Sequence, residues 1–201
     1  MRWRKTQDDW KIRQTGEAPA ELLVAILTDC GPSARVLADT ASAWTNLFPR
    51  SDFVVFDRHD NLGVRISNAL AVARLPPDRL LLVGAGRGAR LALSFGLNAT
   101  PPCAGVLAYD ALTEVPAAVP PANRRVKIRI VGHVFDDPGR DHRLGDAVRA
   151  LGDLGIDARA TQLIDRGLTP AAIRLGTAYL AELSATALQY SAGGVLSRAA
   201  S

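Results

Sequence analysis

The most specific chemical pattern in the sequence is a glycine-rich segment, Gly84-Ala85-Gly86-Arg87-Gly88-Ala89. It fits the G-x-G-x-x-G/A pattern, in which glycines let the backbone approach a pyrophosphate and the next helix N-terminus holds the negative charge. Asp110 lies about where the ribose-binding carboxylate of such a site is expected. One hypothesis is therefore a dinucleotide-binding domain. The alternative is that the glycines only permit a sharp turn from strand to helix.

The same segment also fits G-x-S-x-G, the strained turn that exposes a nucleophilic serine above a sheet. Gly84 and Gly88 would be the flanking glycines, and Gly86 stands where the serine would be. Glycine has no side chain that could attack a carbonyl carbon or be acylated. This interpretation predicts the backbone of a nucleophile site without the nucleophile.

Few other residues offer a nucleophile or a base. The histidines are His59, His133 and His142, and none of them follows the last predicted strand. The alternative is that His133 or His142 approaches the site from the loop that contains Asp136. Ser33 is better placed to cap a helix than to attack a substrate. Cys30, near a strand end, is a candidate reactive thiol, although a buried and inert cysteine is the more common case.

Metal binding is a weaker hypothesis for the segment around His133 and His142. This segment also contains Asp136, Asp137 and Asp141. Without a second cluster of ligands, a solvated loop is the simpler interpretation, and we expect neither a metal ion nor another cofactor.

The elements that must position these residues alternate between apolar runs and segments with apolar residues at helical spacing. This alternation predicts an α/β fold with a mostly parallel sheet of about six strands and helices on both faces. The predicted strands lie near residues 22–27, 53–56, 80–83, 104–108, 126–131 and 156–163, and the predicted helices near 33–47, 62–73, 88–97, 142–154 and 169–184. Because ligands bind at the carboxyl ends of parallel strands, the glycine turn marks the expected site.

The composition, 48% hydrophobic and 22% charged, suits one globular domain in this chain of 201 residues. We expect a polar N-terminal arm over residues 1–20, the α/β domain over 21–184 and a small, polar tail over 185–201. No apolar run approaches the roughly 20 residues of a membrane span. Acidic and polar residues follow the basic start, where a signal peptide would be apolar, so we expect a cytoplasmic protein.

Two surface features bear on partners. The net charge is +4, but the arginines are scattered and aromatic residues make up only 5%, so we expect no nucleic-acid partner. In the N-terminal arm, Trp3 and Trp10 lie near Arg2, Arg4 and Lys5, and tryptophan and arginine commonly anchor protein interfaces. The arm is therefore either a partner-binding segment or an unstructured terminus.

The order of several segments resembles the phospholipase/carboxylesterase (acyl-protein-thioesterase-like) branch of the α/β-hydrolase fold, over about residues 22–184. The segments that carry the resemblance are Leu23–Leu27 with the helix through Trp44, Phe48–Asp57, Leu75–Gly84, Ala104–Ala108, Val126–Asp136 and Asp165–Pro170. The resemblance implies a three-layer sandwich and an ester or thioester hydrolase ancestry.

Carried over residue by residue, the resemblance implies a degenerate catalytic triad. The nucleophile falls on Gly86, the acid on Asp136 or Asp137, and the histidine on Arg166. An arginine stays protonated and cannot act as a base. Thr28-Asp29 replaces the family's His-Gly pair near the oxyanion hole. The chain passes from Asp57 to Leu62 within a few residues, where the family usually has a substrate-contacting loop.

These departures predict a catalytically inactive protein that acts as a binding or structural partner, with a protein partner or a second copy of itself. The alternatives are a divergent carboxylesterase or thioesterase with a rearranged nucleophile, and the dinucleotide-binding domain. At the positions of the degenerate triad, two arrangements are open. Arg166 either pairs with Asp136 and seals the site, or binds a small anion together with Arg87. Asp29 is expected on the opposite side of this site.

Overall fold

Strands and helices alternate through most of the chain, as the apolar periodicity predicts. The computed structural model describes residues 4–6, 9–12, 19–28, 32–57, 60–98, 102–111, 116–134 and 138–198. The strands are β1 (Arg4–Thr6), β2 (Asp9–Ile12), β3 (Leu22–Leu27), β4 (Ser51–Phe56), β5 (Leu80–Ala85), β6 (Gly105–Tyr109), β7 (Lys127–His133) and β8 (Asp157–Leu163). The helices are α1 (Pro32–Leu47), α2 (Leu62–Ala73), α3 (Arg87–Asn98), α4 (Pro138–Asp153) and α5 (Pro170–Arg198), with short 3-10 turns at Pro77–Arg79 and Pro121–Arg125.

All the strands belong to one sheet with the order β1-β2-β4-β3-β5-β6-β7-β8. From β4 to β8 the neighbouring strands are parallel, which confirms the predicted six-stranded parallel sheet. The carboxyl ends of these strands therefore meet along one side of the sheet, here called the carboxyl edge. Its centre is β5, where Gly84 pairs with Leu27 on one side and with Ala108 on the other.

Helices cover both faces of the sheet, which confirms the three-layer arrangement. Apolar side chains alternate along each central strand: in β3, Leu23 faces the layer formed by α2, α3 and α4, whereas Val24 faces α1 and α5. Burial on both faces explains why these strands are continuous apolar runs in the sequence. Helices α1 and α5 are joined by a 2.8 Å hydrogen bond, which the Trp44 indole donates to the Thr177 hydroxyl.

Two further strands, β1 and β2, lie within the segment that was predicted to be a polar arm. They are antiparallel and extend the sheet beyond β4, with Trp10 opposite Val55 and Ile12 opposite Phe53. They were missed because a short edge hairpin needs only backbone pairing and carries no apolar run.

Helix α5 begins where the sequence predicts and ends later. The Thr169 hydroxyl accepts a 3.2 Å hydrogen bond from the Ala172 amide, as expected of an N-cap. The helix then runs to Arg198, past the predicted boundary at residue 184, and Ala187 is buried against the sheet. The segment after residue 184 contains several alanines, which favour helix, but its small and polar residues led to the prediction of a tail. Within the described residues, no helix is both long and apolar enough to cross a bilayer.

A charged cluster joins β7, β8 and α5. The Arg129 side chain is fully buried and donates hydrogen bonds to both Asp157 carboxylate oxygens, at 3.1 Å each, and to Glu182, at 2.5 and 3.1 Å. Burial opposes the charge of Arg129, but the bonds to the two carboxylates outweigh it and raise the pKa of the guanidinium. The same bonds hold the pKa values of Asp157 and Glu182 below their ordinary range.

Candidate functional site

The turn between β5 and α3 places Gly86 at the centre of the carboxyl edge. Gly86 has a φ of +56°, in the left-handed region that side chains rarely adopt. Its amide donates a 3.0 Å hydrogen bond to the Tyr109 carbonyl, and its own carbonyl accepts a 3.2 Å bond from the Arg90 amide in α3. Residue 86 is thus fixed at the apex of a strand-to-helix turn, the conformation that a nucleophile elbow requires.

The flanking glycines are needed for packing. A Cβ atom on Gly84 would collide with the Gly88 carbonyl group and lie 2.6 Å from the Ala89 amide nitrogen. A Cβ atom on Gly88 would collide with the Leu27 carbonyl oxygen at the end of β3. Both positions therefore require glycine whether or not a ligand binds, which explains the glycine pattern without a pyrophosphate.

A histidine and an aspartate meet beside this turn. His133 ends β7, Asp110 follows β6, and the His133 Nδ1 and Asp110 Oδ1 atoms share a 2.7 Å hydrogen bond. The His133 and Asp110 side chains are 14% and 26% exposed, so both are partly buried and reachable from solvent. Asp110 adopts a φ of +53°, and its amide donates a 2.9 Å bond to the Val131 carbonyl, which fixes its position.

Sequence reasoning did not find this pair. The prediction for Asp110 was a ribose contact, and His133 was considered as a metal ligand and as a group that approaches the site from the loop that contains Asp136. The available signal was positional: Tyr109 and Val131 are register partners, so polar residues one or two positions after them on neighbouring parallel strands lie close together.

The rim of the edge combines basic and apolar side chains. Arg87 begins α3 and is exposed, and Arg166 is exposed in the loop between β8 and α5. Two apolar residues also lie at this edge: Val134, after β7, is 43% exposed, and Ile164, after β8, is 89% exposed. The Val134 amide donates a 2.7 Å bond to the Leu163 carbonyl, which holds the two loops together.

Several predicted site residues lie outside the described part of the chain: Asp29, Cys30, His59, Asp136 and Asp137. The expected Arg166–Asp136 pair and the position of Asp29 opposite Arg87 therefore stay predictions. The Asp141 and His142 side chains are likewise not described. Across the described residues, no three His, Cys, Asp or Glu side chains come close enough to hold a metal ion.

Two other predicted residues have defined positions. Ser33 lies inside the first turn of α1, half-buried, and not before the helix as a cap would. Thr28, at the end of β3, is buried, and its amide donates a 3.0 Å hydrogen bond to the Phe56 carbonyl. Chemically, the described edge offers an elbow backbone, an imidazole held by a carboxylate, and no side chain at the apex.

No protein-family model matches the chain, and no curated protein matches it. Solved structures do. The structure of esterase PE8 is 22% identical, covers 86% of this chain and 97% of its own, and has a TM-score of 0.65. The Bacillus cereus carboxylesterase is 10% identical over 88% of this chain and 95% of its own, with a TM-score of 0.70. A phospholipase/carboxylesterase from Dyadobacter fermentans is 11% identical over 91% of this chain and 97% of its own, with a TM-score of 0.62.

At these identities the likeness concerns the fold and not the activity. It covers nearly the full length of the compared structures. The resemblance expected from the sequence is confirmed at that level: the chain has an α/β-hydrolase fold.

Proposed function

We propose that this protein is a catalytically inactive α/β-hydrolase-like protein that acts as a binding or structural partner. The observation that carries the proposal is glycine at position 86, at the apex of a turn whose backbone is otherwise that of a nucleophile elbow. An acyl-enzyme needs an oxygen or sulfur nucleophile at this apex, and glycine supplies none.

The rim of the carboxyl edge supports a binding role. Val134 and Ile164 present apolar surface at the same end of the sheet as the arginines Arg87 and Arg166, and interfaces commonly combine apolar surface with arginine. The partner we propose is another protein or a second copy of the chain, and the arginines could also receive a small anion.

The test is hydrolysis of short-chain p-nitrophenyl esters and acyl thioesters by the natural protein and by a Gly86→Ser, Arg166→His double variant. We expect no turnover by the natural protein. Turnover gained by the double variant, and absent from a matched Gly86→Ala, Arg166→His control, would show that only the side chains were lost. Turnover by the natural protein would overturn the proposal.

A second candidate function is favoured by the His133–Asp110 pair. A histidine whose Nδ1 atom is held by a carboxylate is oriented to accept a proton at its other nitrogen, as in hydrolases that activate water or a nucleophile. On this hypothesis the protein is a divergent carboxylesterase or thioesterase with rearranged catalytic groups. Any turnover by the natural protein should then fall at least about 100-fold in His133→Ala.

The dinucleotide hypothesis gains no support. The glycines have a packing role, the Asp110 carboxylate is engaged by His133, and none of the compared structures named above points to a dinucleotide-binding domain.

A further inference from the structure

A cavity of about 550 Å³ lies at the amino ends of β6 and β7, on the side of the sheet opposite the carboxyl edge. Its walls come from the turns that precede β5 and β7, from the segment that leads into β6, and from α5. Helix α5 starts near the carboxyl edge and runs back along the sheet, so Thr186 and Ala187 reach this end. Because a strand of five to seven residues spans roughly 17–23 Å, the cavity is separate from the elbow.

The cavity combines apolar walls with a basic mouth. Prolines and alanines, among them Pro102, Ala104 and Pro121, supply most of the wall. The Cys103 thiol completes it: burial raises the pKa of Cys103 to about 12, so the thiol is neutral at pH 7 and behaves as a small apolar group. A volume of this size is typical of small-molecule sites, which span roughly 300–1,000 Å³.

The charges at the mouth favour a monoanion. Arg125 and Lys127 are the cations and Asp78 is the one carboxylate among the lining residues, which leaves one net positive charge. Lys127 shares its charge with Asp157, 3.6 Å from its Nζ atom, whereas Arg125 is exposed and makes no ion pair within the described residues. A dianion such as a phosphate ester would bring excess negative charge towards Asp78.

We propose that this cavity binds a monocarboxylate with a short apolar chain. The guanidinium of Arg125 pairs with the carboxylate, for which its planar fork is suited, and Lys127 adds a second positive charge. The chain lies against the proline, alanine and cysteine wall. The Thr186 hydroxyl donates its proton to the Glu182 carbonyl in a 3.0 Å hydrogen bond, so it does not donate to the ligand. The carboxylate of the ligand is therefore recognised by charge.

The experiment is calorimetric titration of the full chain with octanoate, beside the neutral octanamide and inorganic phosphate. Saturable one-to-one binding of octanoate is expected, and octanamide and phosphate should each bind about tenfold more weakly. Arg125→Ala should weaken octanoate binding about tenfold. Arg124→Ala is the matched control, because Arg124 is exposed in the same turn and does not line the cavity. It should leave the affinity unchanged.

A variant that fills the cavity checks the location. Ala122 is exposed and lines the cavity, so Ala122→Trp should block octanoate while circular dichroism shows a folded protein. The proposal is overturned if octanoate does not bind saturably, or if octanamide or phosphate binds as tightly as octanoate. It is also overturned if Arg124→Ala weakens octanoate binding as much as Arg125→Ala does, or if a folded Ala122→Trp variant binds octanoate normally.

Discussion

At the residue scale, the three glycines of the β5–α3 turn have different physical roles. Gly86 provides a backbone conformation, whereas Gly84 and Gly88 provide space between backbones. A left-handed conformation is a modest cost for a residue with a side chain, but a Cβ atom forced into a neighbouring carbonyl group must displace backbone, of α3 for Gly84 and of β3 for Gly88.

Substitution by alanine should separate these roles. Gly88→Ala should lower the free energy of unfolding by about 3 kcal/mol or more, or prevent folding, because the new methyl group meets the Leu27 carbonyl oxygen. Gly86→Ala should cost only about 1–2 kcal/mol, for its positive φ. Urea denaturation followed by circular dichroism measures both, and equal costs would contradict the assigned roles.

Asp110 combines backbone strain with a side-chain contact. Asp110→Asn should cost less than about 1 kcal/mol, because asparagine tolerates a positive φ and can still bond to His133. Asp110→Ala loses both features and should cost about 1–3 kcal/mol. Chemical denaturation of the two variants provides the test. An asparagine variant that is as unstable as the alanine variant would show that the position depends on the negative charge instead.

What the sequence can reveal of the site depends on the residue. The apex position of Gly86 was predictable, because a spaced glycine pattern after an apolar run constrains the backbone directly. The contact between His133 and Asp110 was not, because it depends on which strands are neighbours and on how two side chains turn at their ends.

At the element scale, the Arg129 cluster fixes α5 against β7 and β8. The Arg129 side chain is fully buried on the face of β7 that also carries Lys127 and Val131, and Asp157 and Glu182 accept hydrogen bonds from its guanidinium. Lys127 and Arg159 approach the same carboxylates at 3.6 Å. Removing the buried guanidinium leaves the two carboxylates compensated only by Lys127 and Arg159, so Arg129→Met should destabilise the protein by about 2–3 kcal/mol.

The same cluster predicts an acid-sensitive component of stability. Asp157 and Glu182 have folded-state pKa values below their ordinary ones, so they stabilise the fold above about pH 4.5 and lose that contribution as the pH falls. The free energy of unfolding, measured by urea denaturation between pH 7 and pH 3, should fall more steeply for the natural protein than for Arg129→Met. Parallel pH profiles for the two proteins would contradict this assignment.

Strands that are buried on both faces were easier to predict from the sequence than strands at the edge of the sheet. Strands β3 to β7 were recognised because both of their faces are covered and apolar residues predominate in their sequences. Strands β1 and β2 lie at the edge, where pairing is made by the backbone, and polar residues conceal it.

At the scale of the whole molecule, the β1–β2 hairpin covers one edge of the sheet. Removing residues 1–18 would expose the β4 backbone, which pairs with β2 at Phe53, Val54 and Val55. An uncovered apolar edge strand invites pairing between chains. The truncated protein should melt at a lower temperature and self-associate in light scattering. Removal of residues 1–3 alone, which keeps both strands, should change neither property, and a monomeric, equally stable truncation would refute the assigned role.

The molecule thus places its two candidate sites at opposite ends of one sheet. The carboxyl edge keeps the elbow backbone of a hydrolase fold with glycine at its apex, and the amino ends carry a basic, apolar-walled cavity. A fold of this type hosts many functions, so the side chains at each end decide what the protein does.

The central claim is that the elbow forms no acyl-enzyme, and the most direct measurement is intact-protein mass spectrometry after incubation with a fluorophosphonate probe. An active serine hydrolase, treated in parallel, shows that the probe is reactive. We predict that the protein keeps its unmodified mass at probe concentrations that label the control completely. A single stoichiometric phosphonyl adduct, abolished by unfolding the protein before treatment, would contradict the account and reveal a nucleophile elsewhere in the fold.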